Sequence, residues 1–217
     1  MPIKCLLIDC DGTLVDSETL LAEVLAEVFC HSGLPFTATE YMQNWRGVVL
    51  DRILTAVAKA HRQPLPFAQL SAIEQEVRRR TAERMRTSLL AMPGAMDTLS
   101  VQPHTLAVVS NGPLAKIQLA LDATGLRSFF AERIFSAHEL QLFKPDPLIF
   151  LESAARLGFV PAECAVIEDS PAGLSAALAA GMHVIHYNRF PEQEPTPTGA
   201  IMLNAWSDLN RVIETLA

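Results

Sequence analysis

Residues Asp9-Cys10-Asp11-Gly12-Thr13-Leu14-Val15-Asp16-Ser17 directly follow the apolar run Ile3 to Ile8, and this junction constrains the chain more than any other segment. The run reads as a buried strand. Two carboxylates appear where that strand must end. Desolvating a charge is costly, so carboxylates beside a buried strand want a partner. A cation is the obvious one, and hard oxygen ligands suit magnesium. The alternative is an acidic Asp-Gly turn that holds no ion. The later segments decide between the two.

After Ser17, a plausible helix N-cap, Leu20, Leu21, Val24, Leu25, Val28 and Phe29 recur at helical spacing until Gly33. Further helices are predicted over 49–60 and 67–88, the second carrying Arg78-Arg79-Arg80 as a solvated face. From Pro93-Gly94 onward strands and helices alternate. Strands are predicted over 105–109, 133–136, 164–167 and 182–187; helices over 114–123, 147–157 and 172–180, with a last one from about Ser207. The alternation implies a doubly wound, mostly parallel sheet covered by helices on both faces. The block at 17–90 cannot join that sheet. It reads as a small helical cap inserted in an α/β core made of 1–16 and 91–217. A length of 217 residues allows one core domain with such an insertion.

In a doubly wound sheet, ligands bind at the carboxyl ends of the strands. Four polar clusters fall at or just after such ends: Asp9/Asp11, Ser110-Asn111-Gly112, Lys144-Pro145-Asp146-Pro147 and Glu168-Asp169-Ser170. Singly, each has a bland reading as a turn, a cap or a solvated end. Jointly they meet the needs of phosphoryl transfer. One carboxylate can serve as nucleophile and a second as general acid and base. Hydroxyl and N–H donors at a helix start can hold phosphate oxygens. A lysine supplies a compact positive charge, and a further carboxylate completes a magnesium site.

These motifs resemble those of the haloacid dehalogenase (HAD) superfamily along essentially the whole chain. Asp9-x-Asp11-Gly12-Thr13-Leu14-x-Asp16-Ser17 is similar to the first motif, Ser110 to the second, Lys144 to the third and Glu168-Asp169 to the fourth. The resemblance implies a Rossmann-like HAD core with a helical cap of the β-phosphoglucomutase-like group. It implies Asp9 as nucleophile, Asp11 as general acid/base and Lys144 as the catalytic cation. It implies Mg²⁺ held by Asp9, the Asp11 carbonyl and Asp169, with Glu168 assisting. Gly12, Thr13, Ser110, Asn111 and Lys144 would form the phosphate site. The runs Asp9–Glu18, Val108–Pro113 and Lys144–Pro147 are further shared with a 6-phosphogluconate phosphatase-like group. That implies a phosphatase for a sugar phosphate or phosphosugar acid, 6-phosphogluconate foremost.

In the resembling family, the loop around Trp45-Arg46-Gly47 faces the leaving group. Arg46 and Arg52 are then candidates to bind a substrate carboxylate, with Gly47 allowing close approach. Lys116 reads as a solvated residue at the site edge, and the histidines form no site. A β-phosphoglucomutase-like phosphotransferase is the alternative, against which Leu20-Leu21-Ala22 and Val48-Val49-Leu50 count: they lack the histidine and arginine of that group. A dehalogenase needs neither a metal nor a protonated leaving group. A non-catalytic binding protein on this fold would have lost a catalytic residue, and none is missing.

The net charge of −7 argues against nucleic acid or an anionic membrane as partner. A small phosphorylated metabolite remains, and a monomer or weak homodimer is expected. Cys5, Cys10, Cys30 and Cys164 form no Cys-x-x-Cys pair and read as small buried hydrophobes. With no leader or spanning segment at the N-terminus, a cytoplasmic setting is expected.

Overall fold

The computed structural model describes residues 1–46, 48–61 and 65–216. The chain divides into two units, Met1–Val15 with Leu90–Ala217, and Asp16–Leu89. In the first unit, β1 (Cys5–Ile8), β2 (Thr105–Ser110), β3 (Ile134–Ser136), β4 (Cys164–Glu168), β5 (His183–Tyr187) and β6 (Ala200–Leu203) form one sheet in the order β3-β2-β1-β4-β5-β6. All five pairings are parallel. This is the doubly wound α/β core expected from the strand–helix alternation. The chain runs outward from β1 through β2 to β3, then returns to β4 on the other side of β1. The switch point therefore lies at β1, flanked by β2 and β4. In register, Ile8 faces both Val108 and Ile167.

Asp16–Leu89 is helical throughout its regular elements: α1 (Ser17–His31), α2 (Ala38–Asn44), α3 (Leu50–Ala60) and α4 (Phe67–Ser88). The 3.6-residue period of α1 buries Leu20, Val24, Leu25, Val28 and Phe29, and Phe29 packs on Phe36 with ring centroids 5.1 Å apart. Arg84 of α4 reaches Glu23 of α1 at 2.9 Å and also pairs with Glu27. The Tyr41 hydroxyl of α2 donates to Glu18 at 2.7 Å. Arg78 and Arg79 are exposed as expected, each in an ion pair one turn away, with Glu74 and with Glu76 and Glu83.

The core helices are α5 (Ala95–Ser100), α6 (Leu114–Ala123), α7 (Arg127–Phe130), α8 (Ala137–Leu140), α9 (Leu148–Leu157), α10 (Pro171–Ala179) and α11 (Leu209–Glu214). Leu7, Val109, Val166 and Val184 of the sheet cluster with Ile149 and Phe150 of α9 and Leu174 and Ala177 of α10. Leu6, Ile8 and Val108, of opposite parity on their strands, are equally buried, so both sheet faces are covered.

Several expectations needed correction. The cap of α1 is Asp16, not Ser17: its Oδ1 accepts from the Thr19 N–H, where a carboxylate also suits the positive helix end. The first strand begins at Cys5 rather than Ile3. The sequence pattern did not announce α2, α5, α7, α8 or β6; each is four to seven residues long, too short to display a period. Cys30 is exposed, whereas Cys5, Cys10 and Cys164 are buried.

Candidate active site

Asp9 sits one residue beyond β1, its N–H bonded to the Ile167 carbonyl of β4 at 3.0 Å. Its carboxylate is buried and accepts from Lys144 Nζ at 2.5 Å. The same ammonium donates to Glu168 Oε1 at 2.5 Å. Glu168 ends β4 fully buried, and its Oε2 accepts from the Ser170 N–H at 2.6 Å. Lys144 is thus clamped between two buried carboxylates that it cannot both neutralise. Burial pushes the Asp9 carboxyl above the usual carboxylate range against the opposing pull of Lys144, with Glu168 adding to the rise. Burial works against the Lys144 ammonium, yet Asp9 and Glu168 outweigh it and hold its pKa above the ordinary lysine value.

Two glycines make room for these groups. A Cβ on Gly12, whose φ is +84°, would lie 2.1 Å from Asp169 Oδ2. A Cβ on Gly173, in the first turn of α10, would lie 1.9 Å from Glu168 Oε1. Asp169 in turn accepts from the Thr13 hydroxyl at 2.9 Å. The loop carrying Thr13 is braced from the far end of the chain, where the buried Trp206 donates its indole N–H to the Thr13 carbonyl at 3.1 Å.

At the end of β2, Ser110 is buried and its Oγ accepts from the Gly112 N–H at 3.1 Å, which leaves its hydroxyl proton to donate elsewhere. Ser136, closing β3, donates to the Gly112 carbonyl at 2.7 Å. Both ends of the Asn111 amide are taken by Lys144 backbone: Oδ1 accepts from its N–H at 2.9 Å and Nδ2 donates to its carbonyl at 3.2 Å. The Asn111 side chain therefore fixes the loop that carries the lysine, and one hydrogen of its Nδ2 is left over from these two bonds. Lys116, expected as a solvated residue, instead donates to Asp11 Oδ2 at 2.7 Å. Its reach follows from its place in the first turn of α6, directly after the β2 loop.

Asp9, Glu168 and Asp169 each offer a carboxylate oxygen, all within 4.8 Å of one another. Three carboxylates gathered so closely repel one another, and their oxygens are hard donors. That set fits a hard divalent cation.

Among the sequence candidates, Asp9, Asp11, Gly12, Thr13, Ser110, Asn111, Lys144, Glu168 and Asp169 all lie in the α/β unit around the ends of β1, β2 and β4. Arg46 and Arg52 belong to the helical unit. Arg46 is half-buried and its charge acts on the Tyr41 hydroxyl; Arg52 is exposed on α3. Gly47 lies outside the described residues. Trp45 is half-buried, and its indole N–H has no partner among the described residues. His138, near the third motif, meets Phe143 edge-on at 5.2 Å, and His186 is buried against Thr196. Sequence reasoning missed Trp206 and Ser136, which no motif marks. It set Lys116 aside, although position three after Pro113 on a helix leaving β2 was the available signal.

The α/β core thus sets a cluster of carboxylates and one buried lysine at its switch point. A family model for haloacid dehalogenase-like hydrolases matches residues 3–181, and the chain belongs to that family. It is 31% identical to the 6-phosphogluconate phosphatase of Escherichia coli (strain K12), over 89% of this chain and 86% of that protein. Among solved structures, a haloacid dehalogenase-like protein of unknown function from Agrobacterium tumefaciens aligns with a TM-score of 0.84 and 29% identity, over 99% of both chains. A HAD family hydrolase from Deinococcus radiodurans, solved with bound phosphate and sodium, aligns with a TM-score of 0.84 and 28% identity, over 99% of this chain and 96% of that one.

Proposed function

We propose that this hydrolase is a Mg²⁺-dependent phosphatase for a small sugar phosphate or phosphosugar acid, with 6-phosphogluconate the first substrate to test. The observation that carries the reading is the convergence of Asp9, Asp11, Lys144, Glu168 and Asp169 at the switch point of one sheet. The name of the E. coli relative supports the choice of substrate, and the phosphate bound by the Deinococcus relative supports the ligand class.

In this reading, an Asp9 carboxylate oxygen attacks phosphorus and forms an aspartyl-phosphate while the bond to the sugar oxygen breaks. Asp11 gives that oxygen its proton, then takes one from the water that attacks the aspartyl-phosphate and releases inorganic phosphate. Lys144 offsets the charge gathered between Asp9 and the phosphoryl oxygens. Ser110, Thr13 and the N–H groups near Gly12 and Asn111 hold those oxygens. Asp9, Asp169, Glu168 and the Asp11 carbonyl would hold Mg²⁺, which supplies electrostatic stabilisation of the transferring phosphoryl group. The helical unit, with Arg46, Gly47 and Arg52, selects the non-phosphate end. In this reading the enzyme is cytoplasmic and acts on small metabolites.

Phosphate release from a panel of phosphate esters, with Mg²⁺ and with a chelator, tests this directly. Release that stops on chelation and disappears in Asp9→Asn is expected. Release indifferent to the chelator, or full activity in Asp9→Asn, would sink the mechanism. Conversion of β-glucose 1-phosphate into glucose 6-phosphate would promote a mutase instead. Arg46→Ala should raise KM more for 6-phosphogluconate than for a neutral sugar phosphate; equal effects would remove its role toward the carboxylate.

A further inference from the structure

The first loop carries two carboxylates with different work to do, and the structure gives each its own lysine. Lys144 holds Asp9, and Lys116 holds Asp11 at 2.7 Å. Only four lysines exist in the chain, so half of them converge on this loop. The two settings differ: the Lys144 side chain is 2% exposed and that of Lys116 is 42% exposed.

We propose that Lys116 is a positioning residue for Asp11, holding its carboxylate in the orientation from which it serves the leaving oxygen and the attacking water. The inference rests on the phosphatase reading above. Asp11 Oδ2 meets Lys116, while Oδ1 is buried with no hydrogen-bond partner. Among the described residues, Lys116 is the one side chain that bonds this carboxylate. Asp9 and Asp169 have other anchors; Asp11 has this one. Lys116 is itself well placed to act as a fixed arm. Its N–H bonds the Pro113 carbonyl at 2.9 Å in the first turn of α6, and the adjacent Ile117 is buried. Without Lys116, Asp11 is free to change rotamer, and misplacing an acid by about 1 Å can cost on the order of a hundredfold in rate.

The role predicts a dependence on the leaving group. A sugar alkoxide cannot leave without a proton, whereas p-nitrophenolate leaves without one. Lys116→Met should therefore lower kcat/KM for a sugar phosphate by about tenfold to a hundredfold, through kcat rather than KM, and leave kcat/KM for p-nitrophenyl phosphate within about threefold. Lys116→Arg should recover part of the loss. A merely structural role would lower both esters together and shift the urea midpoint. Asp11→Asn is the control for the underlying reading and should lower the same ratio more steeply. If Asp11→Asn leaves the ratio unchanged, the assignment of Asp11 as acid fails and the role of Lys116 falls with it. If Asp11→Asn lowers the ratio while Lys116→Met does not, or lowers both esters equally, the role of Lys116 alone is overturned.

Discussion

At the scale of single residues, the site is organised by close approaches that leave no spare volume. Gly173 exists as glycine because Glu168 occupies the space a side chain would take. Gly173→Ala should drive Glu168 away from Lys144, leaving a buried ion cluster broken. The expected cost is about 1–3 kcal/mol from overpacking, read as a lower urea midpoint, together with loss of phosphatase activity. An unchanged midpoint would mean that Glu168 has somewhere else to go. Asn111 shows why residue type alone misleads. A polar side chain next to a phosphate motif reads as a phosphate ligand only, but here its amide also holds the Lys144 backbone through two hydrogen bonds. Lys116 misleads in the opposite direction: by type it reads as a solvated lysine, and only its place three residues after Pro113 on the helix leaving β2 signals that a carboxylate one strand away lies within reach.

At the scale of elements, β1, β2 and β4 deliver functional groups at their carboxyl ends, and the following turn or helix fixes them. β4 shows this most fully. Glu168 ends the strand and turns back to accept the Ser170 N–H, while the Ser170 hydroxyl caps α10 by accepting from Gly173 at 3.1 Å. Ser170→Ala should cost about 0.5–2 kcal/mol through loss of that cap, and it should leave Glu168 bonded to the Ser170 backbone. Urea denaturation together with kcat checks both halves; a collapse of activity out of proportion to stability would show that the hydroxyl does more than cap. The long elements were legible in the sequence. α1, α4, α6 and α9 each carry several turns of apolar spacing, and β1, β2 and β4 are runs buried on both faces. α2, α5 and β6 were not legible, because four to seven residues do not establish a period and their stability comes from packing.

At the scale of the whole molecule, the chain divides into two compact units. The two tryptophans are divided between them: Trp45 in the helical unit and Trp206 in the α/β unit. Phe29→Ala, which removes a fully buried ring and its partner contact with Phe36, should cost the helical unit about 3–5 kcal/mol. In single-tryptophan variants, the Trp45 transition should then move to lower urea while the Trp206 transition holds its place. Movement of both together would show that the units unfold as one.

The order of the longer strands and helices, the helical block after the first strand and the residue types at the strand ends follow from the sequence alone. The reason is local: hydrophobic periodicity and turn chemistry are properties of neighbouring residues. Which strands become neighbours is not local. Tertiary structure decided that β1 lies between β2 and β4, and so brought Asp9 to Lys144, Lys144 to Glu168 and Lys116 to Asp11 across separations of 135, 24 and 105 residues. It also brought Trp206 under the Thr13 loop. Those contacts depend on register and on the switch in winding direction, which are set by packing the whole sheet at once, and no stretch of sequence encodes them by itself.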